Sequence, residues 1–159
     1  PQAHVADMAA TGTVLAGRWI RLLAAVVDGL LVGGAVWAVG MIPAVSSLFA
    51  AQVATMSFQT LNPVSMIFGF GAFLLIHGWP LLTRGQTIGK MLFGLRIVRS
   101  DGSKPEAWRL LGLRYGIGYA LNINTIASMV YSLLDCLLIF RASRKCLHDS
   151  IADTQVIKL

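Results

Sequence analysis

Charged side chains are scarce in this chain, and they are absent from one long stretch of it. Of the 159 residues, only 13% are Asp, Glu, Lys or Arg, whereas 56% are hydrophobic. A soluble domain normally carries about 25% charged residues, so this composition excludes an ordinary soluble protein. Between Asp28 and Arg84 there is no Asp, Glu, Lys or Arg at all. The sequence therefore predicts an integral membrane protein of one domain with a handful of spans.

Cysteines and acidic residues are also few. The two cysteines, Cys136 in an apolar run and Cys146 in a basic one, do not suggest a disulfide framework. Cys146 and His148 are too few for a zinc site, which takes four ligands, and no Ser-His-Asp arrangement supplies a nucleophile. We therefore expect no metal, no cofactor and no enzymatic activity. The net charge of +6 suits a basic face against anionic lipid, and we expect no nucleic-acid partner.

Two apolar runs are long enough to cross the hydrocarbon of a bilayer. The first covers residues 22–41 and would be about 30 Å long as a helix, and the second covers residues 64–82. Arg18 and Arg21 flank the first run, and Arg84 follows the second. The positive-inside rule therefore predicts that these two ends of the spans are cytoplasmic.

The segment between the spans, residues 43–62, is then external. Its hydrophobic side chains recur at helical spacing, with Ser, Thr and Gln on the opposite face. This pattern predicts an amphipathic helix that lies in the outer membrane interface, and a third span is the alternative.

The carboxyl-terminal half allows two topologies. Residues 115–140 are mostly apolar and long enough for one helix, but a single crossing would leave Arg144 and Lys145 outside. A helical hairpin over residues 105–140, with its turn at residues 122–125, keeps both ends in the cytoplasm. We therefore prefer the hairpin, with a first arm that is short and only partly inserted.

Two alternating, β-branched runs are predicted to pair in the cytoplasm. They are "GLRIVRSDG", in the cytoplasmic elbow of residues 85–102, and "TQVIKL", in the tail of residues 141–159. They can pair only if both lie on the same side of the membrane, which agrees with the hairpin. With residues 1–17 also inside, both termini are cytoplasmic and the expected location is the plasma (inner) membrane. The predicted fold class is an all-α transmembrane bundle of two spans and a C-terminal hairpin, with a small two-stranded sheet.

The stretch "GQTIGKMLFGLRIVRSDG" superficially suggests a phosphate-binding loop. That loop needs Gly, four residues, Gly-Lys, and then a Ser or Thr whose hydroxyl reaches magnesium. Here three residues separate Gly85 from Gly89, and Met91 follows Lys90. We interpret the stretch as a tight turn out of the membrane, with Lys90 facing lipid phosphates. Three further basic residues are assigned to headgroup contact or to cytoplasmic structure: Arg96, Arg144 and Lys145.

Three motifs in this order resemble the RDD family of small membrane proteins: "RLLAAVVDGLL", "GQTIGKMLFGLRIVRSDG" and "LHDSIADTQVI". The family is named for one Arg and two Asp. The resemblance assigns these to Arg21, Asp28 and Asp149, with Asp135 as the alternative second Asp. The closing motif usually has Gly where this chain has Asp153, so the turn into the last strand is expected to differ. The resemblance implies a mostly unassigned role, with transport suggested and sodium/proton antiport proposed for some members.

Three ionisable side chains lie within the predicted helices: Asp28, His77 and Asp135. A charged group at the bilayer centre costs about 2.5 to 3.5 kcal/mol, so each needs a partner or a purpose. Counting inward from the cytoplasmic end of each helix places all three roughly 9 to 11 Å below the boundary, provided that the hairpin is right. The sequence thus predicts one layer of titratable groups.

This layer supports two hypotheses. In the first, it is a transport or ion-binding site, because carboxylates supply oxygens for a cation such as sodium and a histidine can relay protons. In the second, it is structural, and Asp28 pairs with an Arg such as Arg114 to fix helix packing. Smooth faces such as that of Gly29 and Gly33 favour close helix contact, either with a second copy or within a larger membrane complex. The second hypothesis makes the protein a non-catalytic accessory or assembly subunit.

Overall fold

The computed structural model describes residues 14–54, 63–121 and 123–159. The chain is mostly helical. Its α-helices are α1 Arg18–Gly40, α2 Pro43–Ala54, α3 Pro63–Arg84, α4 Ile88–Leu92, α5 Ile117–Leu121, α6 Thr125–Leu138 and α7 Leu147–Ile151. A π-helical segment, Arg109–Gly116, runs directly into α5. The strands are β1 Val14–Leu15, β2 Leu95–Arg99 and β3 Thr154–Lys158.

Among the described residues, two helices are long and apolar enough to cross a membrane, and they lie where spans were predicted. They are α1, with 23 residues, and the 19-residue part of α3 from Met66 to Arg84. In the most apolar window of α1 only 11% of residues are buried inside the protein, unlike a core helix of a soluble domain. Trp19 and Trp37, near opposite ends of α1, are exposed, as expected of anchors at two interfaces.

The predicted external segment is described only in its first half. Two residues separate α1 from α2 and form a turn. In this turn the Ile42 amide donates to the Val39 carbonyl at 3.1 Å. The ring of Phe49 lies 5.4 Å from that of Phe68, which holds α2 against α3. The remainder, residues 55–62, lies outside the described residues, so the choice between an interfacial helix and a third span stays open.

The region predicted as a hairpin is helical in two parts. The π-helical segment and α5 form the first, and α6 forms the second. Asn124 caps α6, because its side chain accepts a hydrogen bond from the Ala127 amide at 3.0 Å. A Cβ atom on Gly118 of α5 would lie 3.3 Å from the ring of Tyr131 on α6, so the two helices pack closely there. Asn122 of the predicted turn lies outside the described residues, and membrane insertion of either part remains a prediction.

The sheet has three strands rather than the predicted two. Strand β3 pairs antiparallel with β2, which matches Arg96 with Ile157, and it also pairs with β1 on its other side. The two runs identified in the sequence therefore do pair. The strand that was missed, β1, has only two residues, too few for alternation to show.

The turn before β3 explains why glycine suits the position that Asp153 occupies in this chain. Asp153 has a φ of +50°, in the left-handed region that glycine adopts most easily and that Asp tolerates better than most residues. Its carboxylate accepts a hydrogen bond from the Ser100 hydroxyl at 2.6 Å, which ties the turn to the end of β2. The expected difference from the family pattern is thus the replacement of Gly by Asp153 within a left-handed turn.

The buried core joins this sheet to the adjacent ends of the long helices. Its fully or nearly fully buried members are Ala16, Ala24, Phe73, Leu81, Leu95, Ile97, Leu110 and Val156. They come from all three strand regions, from α1 and α3, and from the π-helical segment. The polar groups described next lie around this core and are held in place by it.

Candidate functional site

The loop that resembles a phosphate-binding loop encloses the carboxylate of Asp28. The Thr87 hydroxyl donates to Asp28 Oδ2 at 2.5 Å, and the Gly89 amide donates to Asp28 Oδ1 at 2.7 Å. Thr87 also caps α4, since the Lys90 amide donates to its Oγ1 at 3.4 Å. Backbone and hydroxyl donors that would cradle a phosphate elsewhere here hold a carboxylate of the same chain.

Gly89 permits this arrangement because no side chain fits there. A Cβ atom at this position would lie 2.3 Å from the Ala24 carbonyl oxygen and 2.9 Å from Asp28 Oδ1. Gly85 is needed for a different reason: its φ is +66°, and a Cβ atom would lie 2.8 Å from the Ile97 carbonyl oxygen. The two glycines of the motif therefore serve a helix contact and a turn, respectively.

Lys90 lies inside the protein, although the sequence analysis placed it against lipid phosphates. It is 8% exposed, and its Nζ lies 3.6 Å from Asp28 Oδ2 and 3.3 Å from the Tyr115 hydroxyl. The reason is the packing of α4 across α1 at Gly89, which turns the next side chain toward Asp28. The cation beside Asp28 is thus Lys90 and not Arg114.

His77 lies next to the same carboxylate. The ring is fully buried, and its Nδ1 accepts a hydrogen bond from the Ile88 amide at 3.3 Å. In a neutral ring the proton is then on Nε2, which lies 3.7 Å from Asp28 Oδ1 and has no hydrogen-bond partner in the described part of the chain. Asp28 and His77 of the predicted layer are therefore brought together, with a gap slightly longer than a hydrogen bond.

A cavity of about 240 Å³ adjoins the Asp28 carboxylate. Besides Asp28, its polar lining includes Lys90, Tyr115, Tyr119 and His148. The Asp28 side chain keeps 13% of its surface exposed, so the carboxylate is reachable from this space. Its contacts leave room for a proton or a small ion to approach.

A second polar cluster surrounds Asp149, which is completely buried. Arg21 binds Asp149 Oδ2, and Arg114 binds Oδ1, so the signature Arg and the predicted second Asp are direct partners. Arg114 also donates to the Thr154 hydroxyl at 2.5 Å, and the Cys146 amide donates to Asp149 Oδ2 at 3.2 Å. This network joins α1, the π-helical segment, α7 and β3.

The protonation state of Asp149 follows from these partners. Burial by itself raises the pKa of Asp149, but the positive charge of Arg114, with His148 and Arg21 beside it, outweighs burial. The pKa of Asp149 therefore lies well below its ordinary value, and the group is a fixed anion at every physiological pH.

Asp135, the third member of the predicted layer, lies in a different set of contacts. Its carboxylate oxygens lie 2.7 and 2.8 Å from His148 Nδ1, and it accepts the His148 amide at 3.0 Å. No contact with Asp28 or His77 is seen among the described residues. Helix counting predicted a single layer, but the structure has two groups: Asp28 with His77, and Asp135 with His148. His148 also lines the cavity at Asp28.

Three side chains that are able to bind a metal also meet here. One ligand atom from each of Asp135, Cys146 and His148 lies within 4.8 Å of the others. Burial raises the pKa of Cys146 to about 12, so its thiol stays protonated at neutral pH. A guanidinium nitrogen of Arg21 lies 3.5 Å from the sulfur, and its charge opposes a second cation. These three residues therefore make a poor metal site.

The other basic residues named in the sequence analysis mainly support the sheet. Arg144 donates to the Leu15 carbonyl at 3.4 Å, and its own carbonyl accepts from Arg21. Lys145 Nζ donates to the Ser100 hydroxyl at 2.7 Å. Arg96 is exposed and available to headgroups.

Sequence reasoning missed the roles of Thr87 and Tyr115. Thr87 had a signal in the motif itself, because a Thr ahead of a short helix is a typical N-cap. Tyr115 had none, since its contact with Lys90 depends on the packing of the π-helical segment against α4.

Comparisons with known proteins agree with the motifs. The model of the RDD family matches residues 15–153. "Uncharacterized protein YckC" of Bacillus subtilis (strain 168) is 30% identical over 89% of this chain and 83% of its own length. "Uncharacterized membrane protein YteJ" of the same organism is 28% identical over 89% of this chain and 80% of its own length. No solved structure matches the chain.

Proposed function

This chain belongs to the RDD family, and we propose that it is a small membrane transport protein for a proton or a small cation, with sodium/proton exchange as one form. One observation carries the proposal. Asp28, an ionisable group inside a candidate span, lies beside Lys90 and His77 and borders a cavity of about 240 Å³. A carboxylate inside a span is by default a functional group.

The Asp28–Lys90 pair suits a site that exchanges its cation. At 3.6 Å the two groups attract each other without a direct hydrogen bond. Their attraction is on the order of 4 to 5 kcal/mol at an effective dielectric constant of about 20. Protonation of Asp28 removes this attraction, and another cation that binds Asp28 displaces Lys90 from the carboxylate. Thr87 and Gly89 hold the carboxylate in place while its cation changes.

His77 suits the transfer of a proton to this carboxylate. Its Nε2 faces Asp28 Oδ1 at 3.7 Å, so a small approach of the two groups makes a hydrogen bond. Asp28 and His77 are thus the core of the proposed site, and Asp135 is a more distant member that acts through His148.

The proposal includes an orientation. Both termini and the three-stranded sheet lie in the cytoplasm of a plasma (inner) membrane, and α2 lies outside. The two helical parts of residues 105–140 then form a hairpin that enters the bilayer from the cytoplasmic face. Arg84, Arg141 and Arg144 lie on the inner side in this arrangement, as the positive-inside rule requires.

A non-catalytic accessory or assembly subunit is the second candidate, and the Asp149 cluster favours it. Two guanidinium groups on one fully buried carboxylate make a rigid network that joins four elements. Within the described part of the chain, nothing lies within 4 Å of a Cβ atom built on Gly29 or Gly33, so this face of α1 is open to another helix. The partner would be a second copy or a larger membrane complex, in addition to the phospholipid around it.

Flux through proteoliposomes distinguishes the two candidates. We would impose sodium and pH gradients and compare the wild type with Asp28→Asn, which retains an oxygen to accept the Gly89 amide. Asp101→Asn is the matched control, because Asp101 is an exposed turn residue. Transport predicts flux in the wild type and in the control, and its loss in Asp28→Asn. Equal flux in all three would exclude Asp28 as the transport group, and no flux from monodisperse wild type would favour the accessory subunit.

A further inference from the structure

We infer that the Asp135–His148 pair is the point at which protons from the cytoplasm reach the cavity that holds Asp28. This inference rests on the proposed transport function and assigns a regulated step to the same site. It concerns two groups that lie outside the immediate surroundings of Asp28.

Three separate cavities meet at His148. The first, of about 240 Å³, contains Asp28. The second, of about 190 Å³, lies between α5 and α6 and is lined by Tyr131 and Ser132. The third, of about 150 Å³, lies between α1 and α6 and is lined by Asp135. Among the described residues, His148 is the side chain common to all three linings, so it stands between the Asp28 cavity and the two others.

The geometry of the pair leaves one ring nitrogen free to carry a proton. Because Asp135 faces Nδ1 at 2.7 and 2.8 Å with both oxygens, the proton of a neutral His148 ring is on Nδ1. The other nitrogen, Nε2, is then an acceptor, and it lies 3.8 Å from Asp149 Oδ1, beyond hydrogen-bond distance. A carboxylate that fixes the tautomer in this way also makes the opposite nitrogen more basic.

The charges around His148 keep it neutral at rest. Burial and the nearby Arg114 guanidinium lower the pKa of His148, and they outweigh Asp149 and Asp135, which raise it. Arg21 and Cys146 complete the surroundings on the side of α1. A proton taken up at Nε2 is therefore held weakly and passes on easily, as a relay requires.

The space between His148 and Asp28 is large enough for water. A water molecule takes about 30 Å³ of liquid volume, so the cavity of about 240 Å³ accommodates several. Lys90 and the hydroxyl of Tyr115, which lie 3.3 Å apart, line the same space and supply partners for such waters. Waters held by Lys90 and Tyr115 would complete a hydrogen-bonded route along which a proton passes from His148 Nε2 to Asp28.

The test measures the initial rate of proton flux in proteoliposomes that contain a pH-sensitive dye, for the wild type, His148→Gln and Asp28→Asn. We expect the rate of His148→Gln to fall at least about tenfold, and imidazole in the buffer to restore much of it. Asp28→Asn should carry no proton flux, with or without imidazole. Asp101→Asn, which changes an exposed turn residue outside the linings of all three cavities, should keep the wild-type rate.

Asp135→Asn is the second variant. Asp135 raises the pKa of His148, so its loss should move the rise of flux with falling pH to lower pH. A purely structural pair would not respond to imidazole and would not shift this profile. A wild-type rate in His148→Gln, or a loss that imidazole does not restore in monodisperse protein, overturns the inference. If flux depends on Asp28 but not on His148, the transport function stands and only this inference fails; if wild type carries no flux, both fail.

Discussion

Replacement of Gly89 by Ala tests the central contact of the fold and of the candidate site. The added methyl would lie 2.3 Å from the Ala24 carbonyl oxygen and 2.9 Å from Asp28 Oδ1. Neither atom can move alone, because the first belongs to the backbone of α1 and the second to a carboxylate whose other oxygen, Oδ2, accepts from the Thr87 hydroxyl. Helix α4 must therefore move away from α1 by roughly 1 Å, since contacts below about 3.4 Å are repulsive.

The expected cost has two parts. Overpacking of this kind costs about 1 to 3 kcal/mol. The amide of residue 89 also loses its hydrogen bond to a charged group, which contributes about 1.5 to 3 kcal/mol. The sum is roughly 3 to 6 kcal/mol, and at about 2 to 4 °C per kcal/mol for a chain of this size it lowers the unfolding midpoint by about 10 to 20 °C.

The assay is thermal unfolding in detergent, followed by size-exclusion chromatography of heated samples. Gly34→Ala is the matched control, because Gly34 is also helical and a Cβ atom there meets nothing within 4 Å. The control should unfold at or above the wild-type temperature, since Ala favours the helix by up to about 1 kcal/mol. An unfolding temperature of Gly89→Ala within about 2 °C of the wild type, against the shift derived above, would refute the proposed contact.

Three further predictions concern the second cluster. Asp149→Asn leaves Arg21 and Arg114 buried without a carboxylate, so we expect a loss of about 3 to 5 kcal/mol, seen as aggregation during size-exclusion chromatography. Because the pKa of Asp149 is lowered in the folded protein despite its burial, its stabilisation is complete above about pH 4 and declines as the pH falls further; a flat unfolding temperature from pH 5 to pH 2 would contradict this. Cys146, whose pKa is raised to about 12, should react with a thiol reagent at pH 8 only after denaturation, as measured in a Cys136→Ser background, and fast labelling of native protein would contradict its burial.

The parts of the fold that were predictable depend on local signals. The two candidate membrane helices follow from the length of apolar runs near Arg21 and Arg84, and the pairing of β2 with β3 follows from alternation in two short runs. Strand β1 was missed because two residues carry no period. Helix lengths alone placed Asp135 at the depth of Asp28, but depth says nothing about which side of a helix a residue occupies. Its actual partner, His148, follows from the packing of α7 against α6.

The choice of partners could not be predicted, because the polar groups that pair are distant in the sequence. Asp28 meets residues 59 and 61 positions away, and Asp149 meets Arg21 at a separation of 128. A one-dimensional pattern gives the polarity of each group and its approximate depth. The pattern does not show whether the Lys90 side chain points outward to lipid or inward to Asp28. That direction depends on the close contact between Gly89 and α1.

Asp28 and Asp149, the two aspartates that the family resemblance assigns to the signature with Asp135 as the alternative to Asp149, differ in what their surroundings allow. Asp149 is fully buried, and two guanidinium groups, which do not lose their charge in proteins, hold both of its oxygens. Asp28 faces one lysine at 3.6 Å and one histidine at 3.7 Å, and it borders a cavity. Loss of Asp149 should therefore remove the folded protein together with any activity. Replacement of Asp28 by Asn should leave a folded protein that lacks only the proposed exchange of cations at the site.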